Sequence, residues 1–263
     1  MPVIEARDVH FKYAETPVLK KFSFVSKDNE ILGIIGPNGS GKTTLLKIID
    51  GICKPQRGSV LLNQNDLNKM TRTEIARKIA FVPQDAAMVF SFTVEEVVMM
   101  GRSPHISRFR FESKKDADIT RKAMKQTKIE QFAGRSINEL SGGERQRVFI
   151  ARALAQEPRI MLLDESAAFL DINHQISFFE LLRMLNREEG VTVMVVTHDI
   201  NMASLYCDRV MLLKDGMMYG IGTPHQVITK KNIEEVYGTE VLIDSHPIEG
   251  LPRMTLLSRR LSD

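Results

Sequence analysis

Cysteine is scarce in this chain of 263 residues: Cys53 and Cys207 are the two present. They form no metal-ligand or redox spacing, so they read as small buried or half-buried residues of a protein kept under reducing conditions. No run of about 18 apolar residues occurs, so nothing reads as a membrane span and any membrane role must come through a partner. The N-terminal stretch Met1-Pro2-Val3-Ile4-Glu5-Ala6-Arg7 is mixed in character and lacks the apolar centre of a secretion signal. Repeats and low-complexity segments are absent. The formal charge of +3 is too small to argue for a nucleic-acid partner, and none is expected. What is present is ordinary for a globular protein: 43% hydrophobic and 26% charged residues, with ample core for one large domain or two small ones.

The most informative stretch covers residues 31–46. A short apolar run, Ile31-Leu32-Gly33-Ile34-Ile35, precedes Gly36-Pro37-Asn38-Gly39-Ser40-Gly41-Lys42-Thr43-Thr44 and then a helical start. Residues 36–43 fit the phosphate-loop pattern in its strand–loop–helix context. Glycines let successive N–H groups turn inward toward an anion, and the following helix aims its N-terminal dipole at the same place. Lys42 reaches the outer phosphates, and the Thr43 hydroxyl serves as a ligand for Mg²⁺.

Before this loop, residues 3–11 and 18–25 read as antiparallel strands joined through Glu15-Thr16-Pro17. Two readings of Tyr13 stand at this point: stacking on a purine, or packing on its own hairpin. After the loop, a helix over 42–50 stops at Gly51, a strand covers 59–62, and a short helix over 73–78 precedes a buried strand over 79–83. That strand delivers Gln84 to its C-terminal end, where ligand-facing groups sit in α/β sheets. Residues 86–137 shift to short charged helices, an inserted helical subdomain whose Arg102, Arg108, Arg110, Lys114 and Lys115 read as a solvated face. The apolar stripe over 94–100 is either core packing or an adaptable docking surface.

Ser141-Gly142-Gly143-Glu144 has the form of a capping box and leads into a helix over 148–156. Its hydroxyl, bare amides and dipole make a second anion-ready helix start. The apolar run 160–163 then delivers Asp164-Glu165 to a strand end, apt beside Mg²⁺ and a water: Asp164 for the ion's shell, Glu165 for a proton. A loop over 166–171, a helix over 172–189 and a buried strand over 191–196 bring His198 to the same sheet edge. A hairpin around Lys214-Asp215-Gly216, a helix over 224–236, a weak strand over 240–244 and a tail of loop character complete the chain.

Together these segments resemble the ATP-binding subunit of ABC transporters over essentially the whole chain. Leu140-Ser141-Gly142-Gly143-Glu144 is similar to the family's signature motif, Asp164-Glu165 to its Walker B end, His198 to its switch histidine and Gln84 to its Q-loop. The resemblance implies an α/β P-loop NTPase (RecA-like) core, with an N-terminal antiparallel β subdomain and a helical subdomain inserted at about 86–156. The ATP-binding domain spans 1–238, and 239–263 form a C-terminal extension. It further implies ATP and Mg²⁺ as ligands, with Tyr13 on adenine and residues 36–44 around the phosphates. Thr43, Gln84 and Asp164 hold the ion; Glu165, His198, Lys42 and Gln84 carry catalysis. In a head-to-tail dimer of two copies, Ser141, Gly142 and Gly143 complete the partner's site and Asp171 touches the opposite subunit. The family usually has proline and threonine after the catalytic glutamate, where Ser166 and Ala167 stand here. Neither position supplies the chemistry, so hydrolysis is expected to survive, with the change bearing on loop rigidity and rate.

Gly101-Arg102-Ser103-Pro104-His105, Asp171-Ile172-Asn173-His174-Gln175 and Tyr237-Gly238 narrow the resemblance to importers of the ferric-siderophore, heme and cobalamin type. That type implies integral membrane permease subunits, an extracytoplasmic substrate-binding protein, and a peripheral place on the cytoplasmic face of a prokaryotic membrane. The alternatives are an importer for an oxyanion, or a soluble ABC ATPase of the iron–sulfur assembly type without a permease.

Overall fold

The computed structural model describes residues 3–84, 91–106, 112–165 and 171–257. Its first strands, β1 (Ile4–Tyr13) and β2 (Thr16–Val25), form an antiparallel hairpin. The turn is tighter than the sequence suggests: Thr16 and Pro17 lie inside β2, opposite Tyr13 and Lys12. β2 is an edge strand, where the missing proline N–H costs no ladder bond. Next come β3 (Ile31–Ile35), the glycine-rich loop and α1 (Lys42–Ile49). β4 (Arg57–Leu62) and the two-residue β5 (Asn65–Asp66) complete a sheet of order β2-β1-β4-β5. α2 (Arg72–Ala76) begins at its Thr71 cap and leads into β6 (Ile79–Val82).

The helices α3 (Val94–Met99), α4 (Lys114–Gln126) and α5 (Gly142–Ala155) pack on one another. All three start with the same chemistry, a hydroxyl cap answered by an acid three residues on: Thr93 with Glu96, Ser113 with Asp116, Ser141 with Glu144. α5 begins at Gly142, well before the helix expected from 148, because the capping box offsets the poor propensity of two glycines. Arg102 is not on a solvated face. It is 2% exposed, and its guanidinium donates to Asp116 Oδ1 at 2.9 Å, Ala155 O at 2.6 Å and Glu157 Oε2 at 2.8 Å. It thus ties the end of α3 to the start of α4 and the end of α5. Lys114 and Lys115 are exposed as expected, and Arg108 and Arg110 lie outside the described residues.

From there the chain alternates: β7 (Ile160–Asp164), α6 (Ile172–Glu189), β8 (Thr192–Val196), α7 (Ile200–Tyr206), β9 (Arg209–Lys214) and β10 (Met217–Gly222). The main sheet has order β10-β9-β3-β8-β7-β6, parallel except for the β9–β10 hairpin. Every residue of β3, β7 and β8 is buried, because both sheet faces are covered. Ile31 and Ile35 face the core shared with α3, α5 and α6, whereas Leu32 and Ile34 face the core shared with α1 and the antiparallel sheet.

The C-terminal part departs from expectation. The segment read as one helix is two, α8 (Pro224–Val227) and α9 (Lys230–Tyr237), with Thr229 capping the second. Beyond them, β11 (Val241–Ser245) and β12 (Pro252–Leu256) pair as a hairpin where a weak strand and a loop-like tail were expected. The hairpin docks on α7: Asn201 exchanges two hydrogen bonds with the Met254 backbone, and Ser204 Oγ donates to Pro252 O at 2.6 Å. Arg259 and Arg260 fall outside the described residues.

Candidate nucleotide site

Four neighbouring strands of the main sheet, β3, β8, β7 and β6, end side by side, and each delivers one part of the site. After β3 the phosphate loop bends back on itself. Gly36 and Gly41 have φ of +151° and +100°, and a Cβ on either would fall 2.5 Å from Leu213 O or 2.7 Å from Leu19 Cδ2. Both positions therefore demand glycine for conformation and for space. Pro37 accepts the Ser40 N–H at 3.2 Å, while Asn38 and Gly39 form the exposed rim. The Ser40 hydroxyl is buried with no hydrogen-bond partner among the described residues. Lys42, 4% exposed, donates from Nζ to Gly36 O at 2.9 Å and Pro37 O at 3.1 Å. Burial pushes its ammonium down from the usual lysine range, with Glu165 and Asp164 opposing.

β7 ends with Asp164, whose Oδ1 accepts the Thr43 hydroxyl at 2.9 Å. Burial raises this carboxyl, and the Thr43 hydrogen bond opposes that. Glu165 follows in the left-handed region, with φ of 45°. This conformation is uncommon for a residue with a Cβ and is held here by three side chains around the carboxylate. Gln84, just beyond β6, donates from Nε2 to Glu165 Oε2 at 2.9 Å. His198, just beyond β8, places Nε2 2.7 Å from Glu165 Oε1, and Lys42 Nζ lies 4.0 Å from the same oxygen. Lys42, Gln84 and His198 thus converge on the Glu165 carboxylate at the open end of the sheet.

These groups fit a nucleotide with Mg²⁺. A buried cation at a helix start, and a Ser40 hydroxyl without a partner among the described residues, suit phosphate oxygens. Thr43 and Asp164 offer hard oxygen donors already side by side, and among the described residues no cluster of three His, Cys, Asp or Glu side chains could enclose an ion. That donor set matches a cation that keeps waters and substrate phosphates in its shell.

Tyr13 is 46% exposed at the end of β1, with its ring edge-on to Phe11 at 4.8 Å. Its hydroxyl lies 3.7 Å from Cys53 Sγ and near Thr44, which is buried at the start of α1. One face of the ring pair therefore packs on the hairpin while the aromatic stays accessible beside the phosphate loop.

Ser141, Gly142 and Gly143 are placed apart from this cluster, at the N-terminus of α5. Ser141 Oγ donates to Glu144 Oε2 at 2.8 Å, and the Ser141 N–H donates to the same oxygen at 2.8 Å. Those bonds hold the Glu144 carboxyl below its usual range. Asp171 caps α6 by accepting the His174 N–H at 2.9 Å. Ser166 and Ala167 are outside the described residues.

Two neighbours of the site lie in segments that the sequence tied to the importer subgroup, without a role for either side chain. Tyr237 of α9 buries its hydroxyl near the Gly36 backbone, and burial pushes its phenol up to about 12. His174 lies on Gly143. Only the tertiary fold brings these pairs together.

The stripe on α3 divides its duties. Val94, Val97 and Val98 are buried in the core, whereas Met99 and Met100 line an open groove of about 600 Å³. Phe92 and Ile106 add apolar surface to that groove, and Glu95, Glu96 and Glu112 add acids. The sequence segment expected to receive a permease helix runs from Val89 to Met100, and its residues 89 and 90 lie outside the described residues.

The family model for ABC transporters matches residues 19–168. A ferric enterobactin transport ATP-binding protein of Escherichia coli K12 is 39% identical, covering 94% of this chain and 91% of its own length. A hemin import ATP-binding protein of Pseudomonas fluorescens Pf0-1 is 38% identical, covering 95% and 98%. A cobalamin import ATP-binding protein of Halobacterium salinarum is 39% identical over 98% of this chain, which spans 65% of that relative's length. Among solved structures, a metal-chelate type ABC transporter in an inward-facing conformation superposes with TM-score 0.87 at 26% identity, covering 98% of each chain. The dimeric structure of a bacterial ABC transporter cassette gives TM-score 0.72 at 35% identity, over 84% of this chain and 98% of that one. With its phosphate loop, Walker B carboxylates and helical arm carried on one such fold, the chain belongs to the ABC transporter family as an ATP-binding cassette.

Proposed function

We propose that this cassette binds and hydrolyses ATP to drive uptake of a metal chelate (an iron–siderophore complex, heme or cobalamin) through separate membrane permease subunits. The observation that carries hydrolysis is the Glu165 carboxylate held between Gln84 and His198 beside the buried Lys42. Glu165 orients a water and takes its proton as the water attacks the γ-phosphorus of ATP, and the bond from that phosphorus to the bridging oxygen breaks to leave ADP and phosphate. Lys42 and the loop amides hold the outer phosphates and offset charge that develops on them. His198 contacts the γ-phosphate, and Gln84 joins the site to the helical arm. Tyr13 stacks on adenine. Mg²⁺, held by Thr43 and Asp164 with Gln84 nearby, supplies Lewis-acid neutralisation of the phosphate oxygens when bound.

The second anion-ready helix start completes the site of another copy. In a head-to-tail dimer with two-fold symmetry, Ser141-Gly142-Gly143 of one chain faces the phosphate loop of the other, and Asp171 touches the opposite subunit. The dimeric cassette of similar fold supports this reading. The groove on α3 receives a cytoplasmic helix of the permease; its methionines re-pack easily and its acids suit basic residues on that helix. ATP-driven closure and release after hydrolysis then gate the permease. The cassette works at the cytoplasmic face of the membrane, with an extracytoplasmic binding protein delivering the chelate.

The names of the iron, hemin and cobalamin relatives favour a chelate over an oxyanion, and the groove favours a permease partner over a free-standing ATPase. A deletion strain should lose uptake of one of these chelates and regain it with the wild-type chain but not with Glu165→Gln. Unimpaired uptake of all three would refute the chelate assignment. Failure to co-purify with a detergent-solubilised polytopic partner would refute the permease assignment.

A further inference from the structure

One turn into α6 stands His174, outside the nucleotide groups described above. Its backbone N–H donates to Asp171 Oδ1 at 2.9 Å, which already satisfies the helix cap. Its ring makes a second contact with that same oxygen, Nδ1 lying 2.8 Å away. Capping does not require this second contact. Pinned there, the ring covers Gly143: a Cβ on Gly143 would fall 2.3 Å from His174 Cδ2 and 3.0 Å from Cγ and Nε2.

The two glycines of the signature turn therefore differ. Around Gly142 a Cβ would meet no atom of the described residues within 4 Å, so among them that position is open to a ligand. Gly143 is not among the positive-φ glycines, so its bare α-carbon serves the close approach of the imidazole. The side chain of His174 is 45% exposed, which makes its burial a weak source of stability. Its value is geometric: it joins the start of α5, on the helical arm, to the start of α6, which follows strand β7 of the main sheet.

We propose that His174 is a positioning residue that clamps the Ser141-Gly142-Gly143 turn to Asp171 within one chain. The two segments that face the partner subunit then approach its ATP as one rigid unit. This role rests on the composite-site reading above. A rotation of α5 against the sheet must slide Gly143 beneath a ring held by a carboxylate, so the clamp resists the misalignment that slows a positioned reaction.

Four full-length proteins test it: wild type, Gly143→Ala, His174→Ala and the double variant, with Ser141→Arg as the control for the reading beneath. Binding of a fluorescent ATP analogue to the monomer should stay within about twofold in all of them, showing that each is folded with an intact phosphate loop. Gly143→Ala should lose about tenfold or more in ATP turnover, and His174→Ala about threefold to tenfold. The double variant should exceed Gly143→Ala, because removing the ring clears the space that the new methyl needs. Turnover losses that multiply in the double variant, with Ser141→Arg inactive, would overturn the clamp alone. Full turnover in Ser141→Arg would overturn the composite site and the clamp with it.

Discussion

Two helices in this chain open at glycine-rich turns, yet the turns sit in opposite surroundings. The phosphate loop is built into the sheet: Lys42 and Ser40 are buried, Gly36 and Gly41 press against neighbouring backbone or side chain, and Thr43 is bonded to Asp164. Ser141 is exposed, Gly142 has open space around it, and the hydroxyl bonds within its own capping box. The first turn is a socket with walls from four strands. The second is one wall, which the proposed dimer completes with a surface from the partner chain. Similar sequence signals thus carry different physical content, depending on what the fold packs around them.

The largest effect should come from the socket's reacting group. Glu165→Gln keeps the contacts' shape but removes the base, so ATP turnover should fall by about 10²–10⁴ while ATP binding persists. Normal turnover would reassign the base. Lys42→Ala should weaken nucleotide binding and turnover by about 10²-fold or more, because the outer phosphates lose a buried cation. Equilibrium binding of ATP against AMP locates the effect: the ATP affinity should fall and the AMP affinity should not. Ser141→Arg sharpens the contrast from the other side. It should abolish turnover, while monomer nucleotide affinity changes by less than about twofold.

A smaller effect concerns the far end of the socket's helix. Burial raises the Asp50 carboxyl to about 7, with Arg72 opposing. A folded-state value above the unfolded one means that this group's contribution is fully present below about pH 4 and is lost as pH rises through about 7. Asp50→Asn should remove that dependence and raise the melting temperature at pH 8, by about 2–4 °C for each kcal/mol recovered. Thermal melts at pH 5 and pH 8 measure it, and equal melting temperatures for both proteins at pH 8 would place the charged carboxylate in water.

The sequence made the socket legible because its cues are local. The apolar run of β3, the glycine spacing and the lysine with its hydroxyl neighbour all lie within a few residues, and burial on both faces leaves β7 and β8 as unbroken apolar strings. The ends of those strands gave Gln84, Asp164, Glu165 and His198 without any knowledge of strand order. The C-terminal hairpin was not legible: Pro252 interrupts its pattern, and Leu242 and Leu256 are exposed, so it depends on the hydrogen bonds from Asn201 and Ser204 of α7. Arg102 looked like a surface charge because the acids and the carbonyl that surround it come from two other segments, the start of α4 and the end of α5. The His174–Gly143 contact likewise joins residues more than 30 positions apart.

The contrast between socket and wall can be settled by mixing two variants that are each inactive alone. In a dimer of one Lys42→Ala chain with one Ser141→Arg chain, the intact phosphate loop of the second faces the intact signature turn of the first. Turnover should reappear on mixing, at roughly a quarter of the wild-type number of competent sites in an equal mixture. A mixture that associates but stays as silent as its components would contradict a site shared between two copies of this chain.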